Sequence, residues 1–457
     1  MPQPADSPAM QPPTQPADSF VTRATAIRPS ERQYNWQQLE FYAFAHFGIN
    51  TFTNREWGMG NEDPALFNPR RLDTDQWCRT FRDAGMRGVI LTAKHHDGFC
   101  LWDTKQTTHS SMHSPLGRDV LAELAESCRR HDLKLGVYVS PWDRHEPSYG
   151  QGRPYDDFFC AQLEEVLTGY GELFCLWFDG ANGEGPNGRK QDYDWPRYYA
   201  LIRRLQPGAV ISICGPDVRW CGNEAGHCRL NEWSVVPASL SVAERIQAGS
   251  QQADDSSFRT RFTSADEDLG SRQALADVKD LIWYPVEVDT SIRPGWFYHP
   301  EEDGQVRSLE MLQSIYLASV GGNAALLLNV PPDRDGLIAP PDAARLAELG
   351  AWLRQTFRHN LLATAAITAT ADTVTATVPA AIQPRWLMVQ EDIRQSQRVE
   401  AFSLEAEIAG CWQELARGTT IGHKRIMSLP AAPAARRWRL VFRESRGPVE
   451  LANFALY

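Results

Sequence analysis

The chain has 457 residues, of which 42% are hydrophobic and 23% charged, and its formal net charge is -11. That length exceeds one ordinary core and suggests a large domain with a smaller partner, while the composition is that of a chain that folds over most of its length. The negative charge, with no long Lys/Arg block against it, argues against nucleic acid or an anionic membrane as partner, and the absence of any run of about 18 apolar residues excludes a spanning helix.

The sequence opens on MPQPADSPAMQPPTQPADSF, which has neither a basic start nor an apolar h-region. Residues 1–30 therefore read as a disordered tail with no signal peptide, and localisation stays open. From about residue 40, short β-branched or aromatic runs alternate with amphipathic stretches, the pattern of parallel βα units. Strands are predicted at 41–47, at 89–91 within RGVILTAKHHDGF, at 133–140, in LFCLWFDG and in AVISICG. Helices are predicted at 74–84, around 120–128, around 159–170 and in PRYYALIRRLQP, from apolar residues at helical spacing. After Gly215 the rhythm loosens, and residues 245–272 read as a long polar loop. The pattern resumes at Leu281, with a last strand in GGNAALLLNVPPDRDG and a helix over 342–357. From Leu362 onward, Thr/Val/Ala alternation without helical period predicts an all-β unit. The expected architecture is α/β: a (β/α)8-like TIM barrel over 31–360, then a C-terminal antiparallel β-sandwich over 361–457. Nine cysteines scattered from Cys78 to Cys411 read mostly as buried thiols, not as a disulfide framework.

In a barrel of this kind reactive groups collect where strands give way to loops. The polar residues at the predicted strand ends are His46, the His95–His96 pair, Ser140 with Trp142, and Asp179. Asp179 is the sharpest signal, because an acid behind a mainly apolar central strand must be paired or functional. A carboxylate there could attack a sugar's anomeric carbon, and the alternative is a loop-capping Asp before Gly180. Trp177, two residues earlier, points the same way and either flanks the sugar or belongs to the core. Fifteen Trp and thirteen Tyr suit a ligand with apolar ring faces. Imidazoles at 95 and 96 can each donate and accept, as sugar hydroxyls require. Adjacent strand residues point to opposite faces, so chelation of one metal by both is disfavoured, and Cys221, His227 and Cys228 lack zinc spacing and a fourth ligand. Neither a metal nor a cofactor is expected.

These residues carry a resemblance. HFGINTF, REWG, KHHDGFCLW, LGVYVSPWD, LWFDG, GPDVRWCGNEAG, SIRPGWFYHP and GGNAALLLNVPPDRDGLI stand in the order seen in family 29 glycoside hydrolases, the α-L-fucosidases. GCWQELARGTTIGHKRI is similar to the β-sandwich that accompanies their barrel. The resemblance implies an exo-acting, retaining α-L-fucosidase working by double displacement on a fucosylated oligosaccharide or glycoprotein glycan. It implies Asp179 of WFDG as nucleophile, with His46, Glu56, Trp57, His95, His96, Tyr138, Trp177 and Trp296 lining the fucose pocket. GPDVRWCGNEAG looks like the subfamily acting on α-1,3 and α-1,4 linked fucose, which implies Glu224 as acid/base, with Glu232 and Glu287 in reserve. Members are often secreted or periplasmic. Oligomeric state leaves no signal in the sequence. Two other classes stay open: a fucose-binding, lectin-like protein on a degenerate barrel, against which the retained Asp179 argues, and a metal-dependent barrel hydrolase, against which the missing ligand set argues.

Overall fold

The computed structural model describes residues 20–251 and 267–457, so the tail expected over 1–19 and most of the loop expected over 245–272 lie outside the described residues. In chain order come β1 (Phe41–Ala45), β2 (Gly88–Lys94), β3 (Lys134–Val139), β4 (Leu173–Phe178), β5 (Val210–Ile213) and β6 (Arg219–Trp220). An antiparallel ribbon of β7 (Val235–Pro237) and β8 (Leu281–Trp283) follows, and then β9 (Val286–Ser291) and β10 (Ala325–Asn329). The eight strands outside the ribbon form one parallel sheet in the order β5-β4-β3-β2-β1-β10-β9-β6. A parallel bridge between Ser212 and Val218 brings its two ends together, so the sheet curls into the expected barrel.

The apolar runs follow from burial on both strand faces. Period two then sorts each strand into two cores. Tyr42, Phe44, Ile90, Tyr138, Cys175, Trp177 and Leu327 cluster inside the barrel, whereas Ala43, Val89, Leu91, Val137, Leu176 and Phe178 pack outward among the helices. Each large apolar side chain fully buried in these layers contributes about 1.5–3 kcal/mol. The helices Thr74–Asp83, Val120–His131 and Trp195–Leu205 start where Asp73, Asp119 and Asp194 accept a first-turn backbone N–H, which fixes their entry after the preceding loops.

Regularity fails on one side. β5 turns into β6 without a helix, and the ribbon and the helix Ala243–Gly249 occupy the connection to β9. The loosened rhythm after Gly215 marks this departure, and the helix extends into the stretch read as loop. A second correction concerns residues 20–30, expected as part of the disordered tail. Phe20–Ala26 is a helix, and its Ala24 is buried against Val235, Leu275, Leu281, Trp283 and Ile393. Ser30 and Gln33 then form a reciprocal capping box on the helix Glu31–Gln37. Composition gave weight to the Pro-rich start and missed that Phe20 and Ile27 bring apolar surface to this contact.

The C-terminal part is the expected sandwich of antiparallel sheets. Its strands are β11 (Ala366–Ala369), β12 (Thr373–Ile382), β13 (Trp386–Glu391), β14 (Val399–Ile408), β15 (Cys411–Gly418), β16 (Arg425–Ser428), β17 (Ala435–Ser445) and β18 (Leu451–Leu456). They form two sheets, ordered β11-β12-β17-β14-β15 and β16-β13-β18, around Val378, Leu387, Phe402, Leu404, Trp438 and Leu440. The join to the barrel is polar: the Glu40 carboxylate lies 2.9 Å from His423 Nε2 and also receives the Lys424 ammonium. His423 N–H donates to Asn323 Oδ1 at 2.7 Å. At the preceding Gly422, φ is +63° and a Cβ would stand 2.3 Å from that oxygen, so glycine is required on both counts. All nine cysteines are free thiols, eight buried and Cys411 exposed at the β14–β15 hairpin.

Candidate active site

Because the barrel strands run parallel, their C-terminal ends open on one mouth. A pocket lies there, lined by His46, Glu56, Trp57, His95, Tyr138, Trp177, Asp179, Glu224 and Trp296, nine of the residues singled out in the sequence. His96 stands against it, with Nε2 3.7 Å from Asp179 Oδ2. Glu232 and Glu287 are not part of the lining.

Asp179 follows β4 directly, and two donors hold its carboxylate. Tyr138 Oη donates to Oδ2 at 3.1 Å, and the Ala181 N–H donates to Oδ1 at 2.8 Å. The side chain keeps 26% exposure, so an oxygen remains accessible from the pocket. Tyr138 and Trp177, neighbours on β3 and β4, stack at 5.3 Å beneath it.

His96 and His46 have definite tautomers. Ser140 spends its hydroxyl proton on the Trp142 carbonyl at 2.7 Å, so the 2.8 Å contact between His96 Nδ1 and Ser140 Oγ must be an Nδ1–H donation. Asn329 donates through Nδ2 to Ser291 Oγ and to the Trp296 carbonyl, which leaves Oδ1 as the acceptor for His46 Nδ1–H at 2.8 Å. Burial pushes both imidazoles down to about 4, and His95 well below its ordinary value, so all three are neutral near pH 7. His46 and His96 therefore keep Nε2 as an acceptor, suited to a donating hydroxyl. The expectation that residues 95 and 96 face opposite ways does not hold: β2 ends at Lys94, alternation ends with it, and the two rings sit 4.1 Å apart.

Glu56 shapes the wall beside His46, whose ring lies 5.1 Å from that of Trp296. Its carboxylate accepts the N–H groups of Trp296 at 2.9 Å and Phe297 at 3.2 Å and lies 2.7 Å from His299 Nε2. The hydrogen bond to Glu56 raises the His299 pKa, which favours a charged pair here. Trp296 is thus delivered to the pocket by the residue that shares the lining with it.

The reserve acids are engaged elsewhere. Glu287 is fully buried inside the barrel, where it accepts from Trp177 Nε1 at 2.7 Å and from Tyr42 Oη, and burial pushes it up to about 7. Glu232 is buried in a pair with Arg219 and accepts the Arg229 N–H at 3.1 Å. The sequence reading missed Asp289. It lines the pocket beside Glu224 and accepts from Trp220 Nε1 at 2.6 Å. Burial first, and the neighbouring Glu224 charge second, raise it well above the usual carboxylate range. The signal was available: in VEVDTS, residue 289 shares the barrel-facing side of β9 with Glu287. Cys221, His227 and Cys228 do not converge, since the two thiols turn to the backbone carbonyls of Asn223, Ala318 and Gly322. Among the described residues no three His, Cys, Asp or Glu side chains form a metal-binding group, and no helix is long and apolar enough to cross a membrane.

The family model described as Alpha-L-fucosidase matches residues 15–356. Alpha-L-fucosidase 1 of Arabidopsis thaliana is 35% identical over an alignment covering 94% of this chain and 87% of that protein. Among solved structures, a glycoside hydrolase 29 family member from an unknown rumen bacterium is 39% identical, with a TM-score of 0.80, over 94% of this chain and 77% of that one. A Ruminococcus gnavus GH29 fucosidase in complex with fucose is 27% identical, with a TM-score of 0.78, over 94% and 95% of the two chains. With a polar barrel-mouth pocket and a family match spanning the barrel, the chain belongs to the α-L-fucosidases of glycoside hydrolase family 29 and is a glycoside hydrolase acting on α-L-fucosides.

Proposed function

We propose that the enzyme releases terminal α-1,3 or α-1,4 linked L-fucose with net retention, using Asp179 as nucleophile and Glu224 as acid/base. The observation that carries this reading is that both carboxyl groups line one pocket, in surroundings of different kind. Asp179 is held by Tyr138 and the Ala181 amide and has an oxygen open to the pocket. Glu224 sits on the loop after β6 and lines the pocket with Trp220. Double displacement needs one carboxylate that attacks C1 and one carboxyl that protonates the departing oxygen and then takes a proton from water.

In the first step Asp179 bonds to C1 as the glycosidic C–O bond breaks, and Glu224 gives its proton to the leaving oxygen. In the second step water attacks C1 from the vacated face, loses a proton to Glu224, and Asp179 departs as carboxylate. His46 and His96 accept sugar hydroxyls at Nε2, and the apolar ring face of Trp296 suits the C5 methyl. Burying one methyl contributes only about 0.8 kcal/mol, so hydroxyl readout carries most of the discrimination.

The anomer of the azide product tests both roles. In Asp179→Ala, azide occupies the nucleophile's side and the product is β-L-fucosyl azide. In Glu224→Ala, azide replaces water on the fucosyl-enzyme and the product is α-L-fucosyl azide. Both variants should lose at least about 10³-fold in turnover without azide on unactivated fucosides. The same anomer from both variants, or near-normal turnover in either, removes the assignment. Hydrolysis of α-1,2 or α-1,6 linked fucosides at rates equal to the 1,3 and 1,4 isomers removes the linkage preference.

A further inference from the structure

We infer that the C-terminal sandwich positions the acid/base: its buried Gln397 holds Glu232, and Glu232 fastens together the two ends of the loop that carries Glu224. The inference rests on Glu224 being the acid/base.

The loop leaves β6 at Trp220 and returns at residues 229–234. Its first end is tied to the barrel, where Arg219 N–H donates to the Pro285 carbonyl at 2.9 Å and Cys221 N–H to the Glu287 carbonyl at 3.0 Å. Its second end is gripped by the sandwich. Gln397 accepts the Ser234 N–H at 2.8 Å through Oε1 and donates to the Glu232 carbonyl at 2.9 Å through Nε2. Arg425 on β16 donates to the Leu230 carbonyl at 3.1 Å, and the Arg446 guanidinium lies 3.7 Å from the centre of the Trp233 ring. Glu232 joins the ends. Its carboxylate pairs with Arg219 on the outgoing side and accepts the Arg229 N–H on the returning side, and Arg229 Nη1 donates to the Cys221 carbonyl at 3.2 Å. Between the ends, the Glu224 carbonyl accepts from Thr290 Oγ1 at 2.8 Å.

A loop pinched at its base has few ways to move its tip. Both glutamine contacts reach the loop backbone, so the sandwich restrains the chain itself and not merely a side chain. Gln397 and Glu232 are positioning residues: neither lines the pocket. Loosening either one displaces a proton donor without touching the nucleophile, and a misplacement of about 1 Å costs up to about 10²-fold in rate.

Leaving-group dependence tests this, because an activated aryl fucoside departs without protonation whereas a fucosyl disaccharide does not. The rates are kcat/KM, which reports the first displacement, normalised to active sites counted by trapping with 2-deoxy-2-fluoro-fucosyl fluoride. Gln397→Ala should fall about tenfold or more on the disaccharide and stay within about twofold on the aryl fucoside. Glu232→Gln should show the same asymmetry, so that the result does not hang on one variant. Equal losses on both substrates, or no loss on either, overturn the inference. Glu224→Gln is measured alongside: if that variant lacks the asymmetry, the assignment of Glu224 fails, whereas asymmetry in Glu224→Gln alone sinks only the role given to Gln397 and Glu232.

Discussion

Tyr138 donates its phenolic O–H to Oδ2 of Asp179 at 3.1 Å while the ring stacks on Trp177, so one residue of β3 both supports and orients the acid at the end of β4. Burial and the Asp179 charge raise the Tyr138 pKa well above its ordinary value, and the phenol remains a donor across the working pH range.

Tyr138→Phe therefore removes a charge-assisted bond and leaves the stack in place. Such a bond is worth about 1.5–3 kcal/mol, so kcat/KM should fall about 10- to 100-fold. The loss should be similar for aryl fucosides and disaccharides, unlike that expected of Gln397→Ala, and far-UV circular dichroism should be unchanged. A loss below about twofold would mean that this contact does not orient Asp179 during reaction.

The neutral histidines set an acidic limit. With folded pKa values of about 4 for His46 and His96 against about 6.5 unfolded, the native state binds fewer protons than the unfolded state between those values. Stability should therefore decline as pH falls from 6.5 toward 4, by up to about 1.4 kcal/mol per pH unit for each imidazole. Urea midpoints across that range measure the slope, and His46→Asn should flatten it. Fucose affinity should hold down to about pH 5 and drop only as pH approaches 4, where the folded rings protonate and lose their Nε2 acceptor.

Glu56→Gln replaces an acceptor-only group with an amide whose NH2 must confront one of the Trp296 and Phe297 N–H groups. The unsatisfied donor costs about 1–3 kcal/mol, and Trp296 loses its fixed position. Fucose binding by titration calorimetry should weaken about tenfold, with kcat less affected than KM. A kcat effect with unchanged binding would place Glu56 in the chemistry itself.

Asp289, whose carboxyl burial and then the Glu224 charge push well above the usual carboxylate range, should tolerate an isosteric amide. Asp289→Asn keeps an acceptor for Trp220 Nε1 and should retain activity within about threefold at neutral pH. Asp289→Ala removes the acceptor of that 2.6 Å bond and should lower activity by about tenfold or more. Equal, severe loss in both variants would mean that Asp289 acts through its own proton.

Much of this arrangement was legible because burial leaves a mark on sequence. The doubly buried strands GVILTAK and LFCLWF stand out as apolar runs, and Asp179 stands out because it ends one of them. Position along the chain was easier to read than direction in space. His95 and His96 were expected to diverge, yet alternation stops with the strand at Lys94. Glu232 and Glu287 stand in reserve as acid/base candidates on the sequence, and in the structure they lie outside the pocket lining, engaged with Arg219 and with the pair Trp177 and Tyr42. Asp289 carries the same alternation signal as Glu287, two residues earlier on the barrel-facing side of β9, but alternation alone does not tell which of two such acids lines the cavity and which is buried inside the barrel. The grip of Gln397 on a loop far earlier in the chain has no signature in composition or period, since it depends on how sandwich and barrel meet.

The thiols carry a practical consequence. Eight of the nine cysteines are buried, and Cys411 alone is exposed, on the β14–β15 hairpin of the five-stranded sheet. A maleimide dye should accordingly attach at one address in the native enzyme, giving a uniform fluorescent derivative without any engineered cysteine. The label would ride on the sandwich, leaving the barrel unmarked.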